Sequence, residues 1–598
     1  MRSSYLLPPA LEFSLNYKEF IDGQDESLDL CDVGTAAIPI KFCETKKLHI
    51  EDLSNLKRFS SGNIVEWPSL ETLVLNHCPK INNFGLGIIK ESQLKSTLII
   101  DPHINLPYLF QLLDDKFSLI TEYYVCEHEE LTKVINNLQS SHFTNLQIFR
   151  AKNYEGHLET FLSILMRRSH KLEIINIEKC KLGFYPKLFD SSYRDEKTVG
   201  DEKFFRLLKE LKLIETDLID IWHYDGPNVI DLGNLQILHV KGCHSLEYIF
   251  NAYPPEKLHQ LRELIIEECR LLYTIFDKVG PTTKFPSLNK VEFKFLPNFR
   301  KIYSGHLEFP SLQSVMIEKC PILEKFTTGF AEPNEKLTID GKSFFELNEI
   351  MFDRYDNLVC VISSETLQEL RNLKKLVVTS CKELKIVFNI HQEISYSTQL
   401  LHQLYELLLI DLPKLTCITN KENCRLYPNL KTLHLKQCNS LSLLQVPQNL
   451  INMDISDSDM LKKIIIIEEK VEIRRDKLTF HELKHVSLEN LSKLSVAFPS
   501  VYEFPALQTL KIANCSAMKS LVEDSKALTE SSTTNYFFPS SLLMEKLKEI
   551  HIINMDVEKL WHSNYPSESF CELEDLKVFD LEDDNLDHNT PEILPRLE

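Results

Sequence analysis

Short runs of apolar residues recur along the chain with the same internal spacing. In each run a leucine is followed by apolar residues at positions +3 and +5, while the positions between them vary. Side chains two positions apart lie on the same face of a β-strand, so each run predicts a short strand with one buried face. Eight such runs carry cysteine at +8, and they begin at Leu70, Leu172, Leu235, Leu261, Leu312, Leu373, Leu430 and Leu507. Four more have leucine or tyrosine at +8 and begin at Leu288, Leu347, Leu404 and Leu483.

This order of residues is the signature of the leucine-rich repeat, in which the +8 residue turns the chain into the core. Many runs lie 24 to 27 residues apart, and longer intervals, such as the 31 residues from Leu373 to Leu404, fit insertions on the outer face. The sequence therefore predicts an α/β repeat solenoid, an irregular leucine-rich-repeat horseshoe with a parallel concave sheet and a mixed loop and short-helix convex side. Weaker copies begin near Thr45, Leu146, Leu208, Leu450, Leu547 and Leu573.

The repeats also predict how the chain is divided. We expect residues 1–40 to form an N-terminal segment with a partial or atypical repeat. Residues 41–567 should form the leucine-rich-repeat solenoid, and residues 568–598 the last repeat with an acidic C-terminal tail. Several strands are preceded by an aromatic residue and proline, as in FPSL at 285 and 309. Proline suits the entry to a strand, and we interpret the aromatic residue as core filling for the loop layer.

Composition and charge narrow the functional classes. The 598 residues are 43% apolar and 26% charged, which is typical of a soluble folded protein. The net charge of −20 would repel a phosphate backbone, so no nucleic-acid partner is expected. The sequence has no run of 18 apolar residues, so no membrane span is predicted, and the N-terminus lacks a signal-peptide core. We therefore expect a cytoplasmic location, with the nucleus and the periphery of the plasma membrane as alternatives.

The cysteines are best explained by the repeat. The eight at +8 are Cys78, Cys180, Cys243, Cys269, Cys320, Cys381, Cys438 and Cys515, and we expect them to be buried, reduced and inert. The chain has no C-x-x-C pair, no G-x-S-x-G motif and no phosphate-binding loop. The sequence thus predicts a protein that is not an enzyme, without catalytic residues, cofactors or metal ligands.

One short segment suggests a different chemistry. Residues 481–485 read H-E-L-K-H, the arrangement by which a helix holds zinc beside a general base. The repeat register makes Leu483, Val486 and Leu488 the inward residues of a strand, so His481 and His485 would not share a helical face. We predict that this segment is part of a repeat and that His485 is a concave contact.

Several repeats share longer motifs, which read LRELIIEECRLLYTIF at 261–276, FPSLNKVEFKFLPNFRKIY at 285–303, FPSLQSVMIEKCPILEKF at 309–326 and LYELLLIDLPKLTCI at 404–418. These motifs resemble the leucine-rich-repeat region of plant nucleotide-binding leucine-rich-repeat (NBS-LRR) disease-resistance proteins of the coiled-coil class. The stretch 13–59 resembles the repeats just after their nucleotide-binding module. The sequence contains neither the coiled coil nor the nucleotide-binding motifs of that family, so nucleotide binding is not carried over to any residue.

The resemblance implies a non-catalytic protein-recognition scaffold in plant defence, which senses a pathogen effector or a guarded host protein. Two alternatives stay open. One is a substrate receptor of a ubiquitin ligase, whose repeats also use cysteine at +8 and which the segment 78–92 resembles. The other is a truncated resistance-gene product with no independent signalling.

A protein partner would bind the concave face. Residues at +2, +4 and +6 of a run alternate with the inward residues and project onto that face. The expected partner-binding residues are Glu263, Ile265, Glu267, Ser314, Met316, Glu318, Lys375, Val377, Thr379, Glu406, Leu408, Ile410, Thr432, His434, Lys436, His485, Thr509 and Lys511. Lysines 375, 436 and 511 share this face with several glutamates, so we also predict a charge gradient along the arc.

Overall fold

The computed structural model describes residues 12–15, 40–51, 53, 55, 65–66, 68–76, 96–99, 121–126, 143–156, 158–182, 187–190, 204–223, 230–251, 253–277, 283–303, 307–323, 344–367, 370–390, 400–420, 426–467, 478–498, 502–522, 536–539, 542, 544–561, 565 and 570–581. The chain divides into two compact units, Met1–Gly280 and Pro281–Glu598. The predicted division into residues 1–40, 41–567 and 568–598 stays a prediction.

Each unit is a leucine-rich-repeat solenoid built on a parallel sheet. In the N-terminal unit the main strands are Glu12–Leu15, Lys47–Glu51, Thr72–Asn76, Ser96–Ile99, Glu122–Cys126, Ile148–Lys152, Ile174–Glu178, Glu210–Ile214, Ile237–Lys241 and Glu263–Glu267. Each strand pairs in parallel with the next one along the chain. Sequential parallel pairing of this kind is what a stack of identical supersecondary units produces.

The C-terminal unit repeats the same arrangement. Its main strands are Lys290–Lys294, Ser314–Glu318, Glu349–Asp353, Lys375–Thr379, Glu406–Ile410, Thr432–Lys436, Asn452–Ser456, His485–Glu489, Thr509–Ala513, Glu549–Met555 and Asp575–Leu581. They too pair in parallel in chain order. The predicted fold class is confirmed, and each weaker copy of the repeat supplies a strand.

Further short strands follow the main strand in many repeats. They are Lys187–Asp190, Asp220–His223, Tyr248–Phe250, Thr274–Phe276, Cys360–Ser363, Ile386–Asn389, Cys417–Thr419, Leu443–Pro447, Lys463–Ile467, Val496–Phe498, Ser520–Val522, Tyr536–Phe538 and Lys559–Trp561. A third kind lies just before the main strand, at Ile40–Lys41, Val65–Glu66, Thr283–Lys284, Leu307–Glu308, Leu478–Thr479 and Tyr502–Glu503. These strands also form parallel ladders between repeats.

Helix is sparse where the structure describes the chain. The α-helices there are Leu158–Arg168 and Ser364–Leu367, with one 3₁₀ turn at Pro255–Lys257. In the described residues, most of the regular structure outside the main sheet consists of strand ladders. The apolar pattern alone did not predict these ladders. No helix in the described ranges is long and apolar enough to cross a membrane.

From the strand Ile148–Lys152 to the strand Glu549–Met555, the core is formed by the second and fourth residues of the main strands and by aromatic residues between strands. In Glu406–Ile410, for example, Leu407 and Leu409 are fully buried. Phe285, Phe309, Tyr427 and Phe504, which precede proline, are buried as predicted. The rings of Phe285 and Phe309 stack with centroids 5.8 Å apart. Stacking of equivalent rings carries the core from one repeat to the next.

From the strand Ile148–Lys152 to the strand Glu549–Met555, each main strand has a residue with left-handed backbone conformation at or just after its end. After the strand His485–Glu489, for example, Asn490 has φ 55° and donates its N–H to the carbonyl of Ala513 at 2.9 Å. The bend therefore keeps one more ladder bond while the chain turns inward. The same conformation occurs at Asn153, Lys179, Glu215, Gly242, Glu268, Phe295, Lys319, Arg354, Ser380, Asp411, Gln437, Asp457, Asn490, Asn514 and Asn554.

Near the C-terminal end of the chain these bend residues also bond through their side chains. The amide of Asn490 donates to Asp457 at 2.5 Å, Asn514 donates to Asn490 at 2.6 Å, and Asn554 donates to Asn514 at 2.9 Å. Asparagine is the non-glycine residue that best tolerates the left-handed region. The asparagines thus satisfy the bend and link four successive repeats.

The cysteines at +8 follow directly after the bend. Seven of the eight predicted thiols, Cys180, Cys243, Cys269, Cys320, Cys381, Cys438 and Cys515, are buried, and Cys78 lies outside the described residues. Cys515, for example, donates its S–H to the carbonyls of Leu488 and Ala513, at 3.6 and 3.3 Å. Burial raises the pKa of Cys180 and Cys515 to about 11 and that of Cys320, Cys381 and Cys438 to about 12. The prediction that these thiols are buried is confirmed.

We expect these seven thiols to react slowly with a maleimide in the native protein at pH 7. The nucleophile is the thiolate, which burial disfavours and shields. Cys43 and Cys571 are exposed and should be labelled first, so they serve as internal standards. Peptide-resolved mass spectrometry measures the rates, and labelling of the seven as fast as Cys43 would contradict a buried ladder.

Replacing Asn514 tests the bend. We expect Asn514→Ala to lower the free energy of unfolding by about 1–2 kcal/mol, because alanine is strained in the left-handed region. Asn514→Gly keeps the backbone conformation and loses the side-chain bonds, so its loss should be smaller. Urea unfolding followed by circular dichroism compares the two, and equal losses would show that the left-handed bend is not what asparagine provides.

Candidate protein-binding surface

In most main strands whose side chains the structure describes, the first, third and fifth residues point away from the core. In Glu406–Ile410 these positions are partly exposed, whereas the residues between them are buried. The same alternation holds in Ser314–Glu318, Glu349–Asp353 and Thr432–Lys436. We call the surface formed by these outward positions the sheet face. Because the core does not use these side chains, the repeat leaves them free to vary.

In the N-terminal unit the predicted residues Glu263, Ile265 and Glu267 lie on the sheet face and are partly exposed. Lys241 on the preceding strand pairs with Glu267 at 3.4 Å and with Glu268 at 3.2 Å. These two contacts raise the pKa of Lys241. The acidic charge predicted here is thus partly neutralised by a neighbouring repeat.

In the C-terminal unit the sheet face carries an apolar row. It consists of the third residues of four consecutive strands, Met316, Met351, Val377 and Leu408, which are register partners from strand to strand. Met316, Met351 and Leu408 are partly exposed, and Val377 between them is 7% exposed. Apolar side chains placed in line on a solvent face are typical of interaction sites.

Polar residues bound the apolar row at both ends. On one side Met316 is followed in register by Glu292, which forms ion pairs with Lys290 at 2.8 Å and Lys294 at 2.7 Å. Burial would raise the pKa of Glu292, but the two lysines outweigh it and the pKa is lowered. On the other side Leu408 is followed by His434, whose Nδ1 lies 2.8 Å from Asp454. The row is therefore four residues long.

The lysines predicted to bind a partner are held by carboxylates of neighbouring strands. Lys375 lies 3.4 Å from Glu406, and Lys511 lies 2.6 Å from Glu489. Lys436 lies 3.8 Å from Asp457. Each positive charge is thus paired within the C-terminal unit, and the charge gradient stays a prediction.

The remaining predicted residues also occupy the sheet face. Ser314, Glu318, Thr379, Ile410, Thr432 and Thr509 are partly exposed, and His485 is exposed at the start of its strand. Only Val377 among the predicted set is buried, because Met351 and Leu408 flank it in register. The structure thus assembles Met316, Val377 and Leu408 into one row, whereas Glu263, Ile265 and Glu267 belong to the other unit.

Met351, Glu349 and Asp353 are not among the predicted binding residues. All three lie on the strand Glu349–Asp353, which the run at Leu347 predicts. The +2, +4 and +6 register of that run would have identified them, since it gives Glu349, Met351 and Asp353. Met351 lies between Met316 and Val377 in the apolar row. Without it, the predicted residues did not form a continuous row.

The H-E-L-K-H segment lies where the register predicted. His485 is the first residue of the strand His485–Glu489, and His481 precedes it in the turn. Glu482 forms an ion pair with Lys431 of another repeat. The described residues contain no group of three His, Cys, Asp or Glu side chains placed to hold a metal.

Fold and sheet face together define a leucine-rich-repeat protein. A sequence model of plant disease resistance protein RPS2-like leucine-rich repeats matches residues 120–270, 330–445 and 425–529. These ranges cover more than half of the 598 residues, and the chain belongs to this family. It is a defence-related repeat protein, of a family and fold that typically serve as non-catalytic scaffolds for protein interactions.

Individual relatives share shorter segments. Disease resistance protein SUMM2 of Arabidopsis thaliana is 27% identical over 170 residues, which are 27% of this chain and 16% of that protein. A probable disease resistance protein of the same plant is 27% identical over 172 residues, 27% of this chain and 18% of its own length. The chain thus matches less than a fifth of each relative. Among solved structures, TLR13 in the TLR13-ssRNA13 complex is 12% identical, with 76% of this chain and 72% of that chain covered and a TM-score of 0.17.

Proposed function

We propose that the chain is a protein-recognition scaffold of plant defence, which senses a pathogen effector or a host protein that the effector targets. The observation that carries the proposal is the sheet face of the C-terminal unit. Its apolar row of Met316, Met351, Val377 and Leu408 has no role in the repeat signature. Apart from Ile410, the positions beside the row on the same strands are polar or charged. An apolar centre with a polar rim is the usual organisation of a protein interface.

Membership of the resistance-protein repeats supports the defence role, and the names of the relatives agree with it. Recognition on the sheet face needs no bound group, so the scaffold acts by presenting side chains. The proposed place of action is the cytoplasm, with the nucleus and the periphery of the plasma membrane as alternatives. The segment 78–92 that suggested the ubiquitin-ligase alternative lies outside the described residues, and that alternative stays a prediction.

Reversing three sheet-face charges tests the proposal. We expect the triple variant Lys375→Glu, Lys436→Glu and Lys511→Glu to lose the partners that the native chain labels in infected tissue. Each substitution replaces attraction to a neighbouring carboxylate by repulsion and changes the charge that a partner meets. Proximity labelling with the full chain as bait, in healthy and infected tissue, measures the change.

A matched control separates binding from general charge effects. Lys382, Lys414 and Lys519 also pair with acidic residues, namely Asp356, Glu383 and Asp556, but they lie in the turns after the bend. Reversal of these three lysines makes the same change in net charge and breaks the same kind of ion pair. Equal labelling by both triple variants and the native chain would remove the sheet face from consideration.

A further inference from the structure

We infer that the apolar row of the C-terminal unit receives an amphipathic α-helix of the partner, which lies across the strands with basic residues along its edges. This inference rests on the proposed function, because it specifies the partner of the same surface. It is carried by the spacing of Met316, Met351, Val377 and Leu408, by the bounded length of the row and by the charges beside it.

The spacing of the row matches a helix. Neighbouring strands lie ~4.8 Å apart, so four side chains in register span about 14 Å. Helix residues at i, i+3, i+7 and i+10 share one face and span about 15 Å, because the rise is 1.5 Å per residue. The four apolar positions can therefore be matched one to one, with a difference of about 1 Å over the whole row.

An extended segment does not fit the row in the same way. Alternate side chains of a strand lie about 6.7 Å apart, so four of them span about 20 Å. A strand also binds through free backbone N–H and C=O groups, and those of Glu349–Asp353, Lys375–Thr379 and Glu406–Ile410 pair with neighbouring strands on both sides. The row offers side chains only, which is how a helix is bound in an apolar groove.

The ends of the row fix its length. Glu292 and His434 occupy the next positions in register, and both are engaged with charged neighbours. Burying either under an apolar surface would desolvate a charged contact without replacing it. The helix should therefore present four apolar residues to the row and polar residues beyond them.

The charges beside the row determine the edges of the helix. The first and fifth residues of the four strands include Glu318, Glu349, Asp353 and Glu406, with Lys375 as the basic exception. Lys319 and Arg354 follow at the bends, one position further from the row, and Lys319 pairs with Glu318 at 3.4 Å. Lys375 also pairs with Glu406 at 3.4 Å, so the acidic charge that is not taken up by these two ion pairs lies on the strand Glu349–Asp353. Lysine or arginine on the edges of the helix complements the carboxylates of that strand.

Synthetic helical peptides test the inference. The probe has leucine at i, i+3, i+7 and i+10 and lysine on the flanking positions. One comparison peptide has the same composition with leucine at every second position, and another replaces lysine by glutamate. Fluorescence anisotropy with the full chain should give a Kd at least tenfold lower for the lysine helix than for either comparison peptide, and equal Kd values would overturn the inference.

Two single variants locate the binding. Met351→Ser and Leu408→Ser each remove an outward apolar side chain and should weaken the lysine helix at least fivefold. Ile322→Ser removes an apolar side chain that is 41% exposed in the turn after Cys320, and it should leave the Kd unchanged. Circular dichroism checks that each variant is folded. Unchanged binding by both serine variants, or weakening by Ile322→Ser to the same degree, would overturn the inference.

A second copy of the chain is the competing occupant. If sedimentation of the native chain shows a dimer, and Met351→Ser abolishes that dimer, the row is a self-association surface and the helical partner is rejected.

Proximity labelling with Met351→Ser separates the inference from the proposed function. If Met351→Ser loses the native partners, but the native chain does not bind the lysine helix, the proposed function is kept and the helical partner is rejected. If the native chain binds the lysine helix, but Met351→Ser and the triple lysine variant both label the same native partners as the native chain, the proposed function is rejected and the helix is kept as a ligand.

Discussion

The structure depends on the parallel backbone ladder that joins each repeat to the next. A single repeat has only one short main strand and cannot bury its apolar face alone, so stability comes from stacking. After most main strands the ladder continues through the left-handed residue, where for example the N–H of Asp411 reaches the carbonyl of Lys436 at 2.8 Å. The chain can then turn inward at +8 without leaving a buried N–H unpaired.

The position after the bend explains the cysteines. A side chain there is enclosed by two repeats, and its donor must find a carbonyl. The thiols of Cys243 and Cys438 each reach a carbonyl of their own strand and one of the preceding repeat. Thr216 and Ser458 take the same position in other repeats, and each also makes a hydrogen bond there. A small donor suits this position, which buried Leu296, Leu412 and Leu491 fill in other repeats. This is a structural reason for a cysteine pattern that could suggest metal or redox chemistry.

The main strands were predictable because +3 and +5 leucines are required by burial, and even the weak copy at Leu450 gives the strand Asn452–Ser456. The strands Ser96–Ile99 and Glu122–Cys126 were missed, because Thr97 stands in place of the apolar residue at +3 from Leu94 and Ile120 in place of the first leucine. The short outer strands were missed because two to five residues carry too little periodicity. The candidate surface residues could be predicted from the repeat register alone. The alignment of some of them into one apolar row could not. The pairing of Ser314–Glu318 with Glu349–Asp353 crosses an insertion that the spacing of the repeats does not resolve.

The central claim is that the sheet face of the C-terminal unit is the surface on which this scaffold meets another protein. Hydroxyl-radical footprinting of the free chain and of its complex with a partner isolated by proximity labelling tests it most directly, because methionine is readily oxidised. Met316 and Met351 should be oxidised in the free chain and protected in the complex. Met460, which is 38% exposed in a turn, should be oxidised equally in both. Equal oxidation of Met316 and Met351 in the free chain and in the complex would contradict the account.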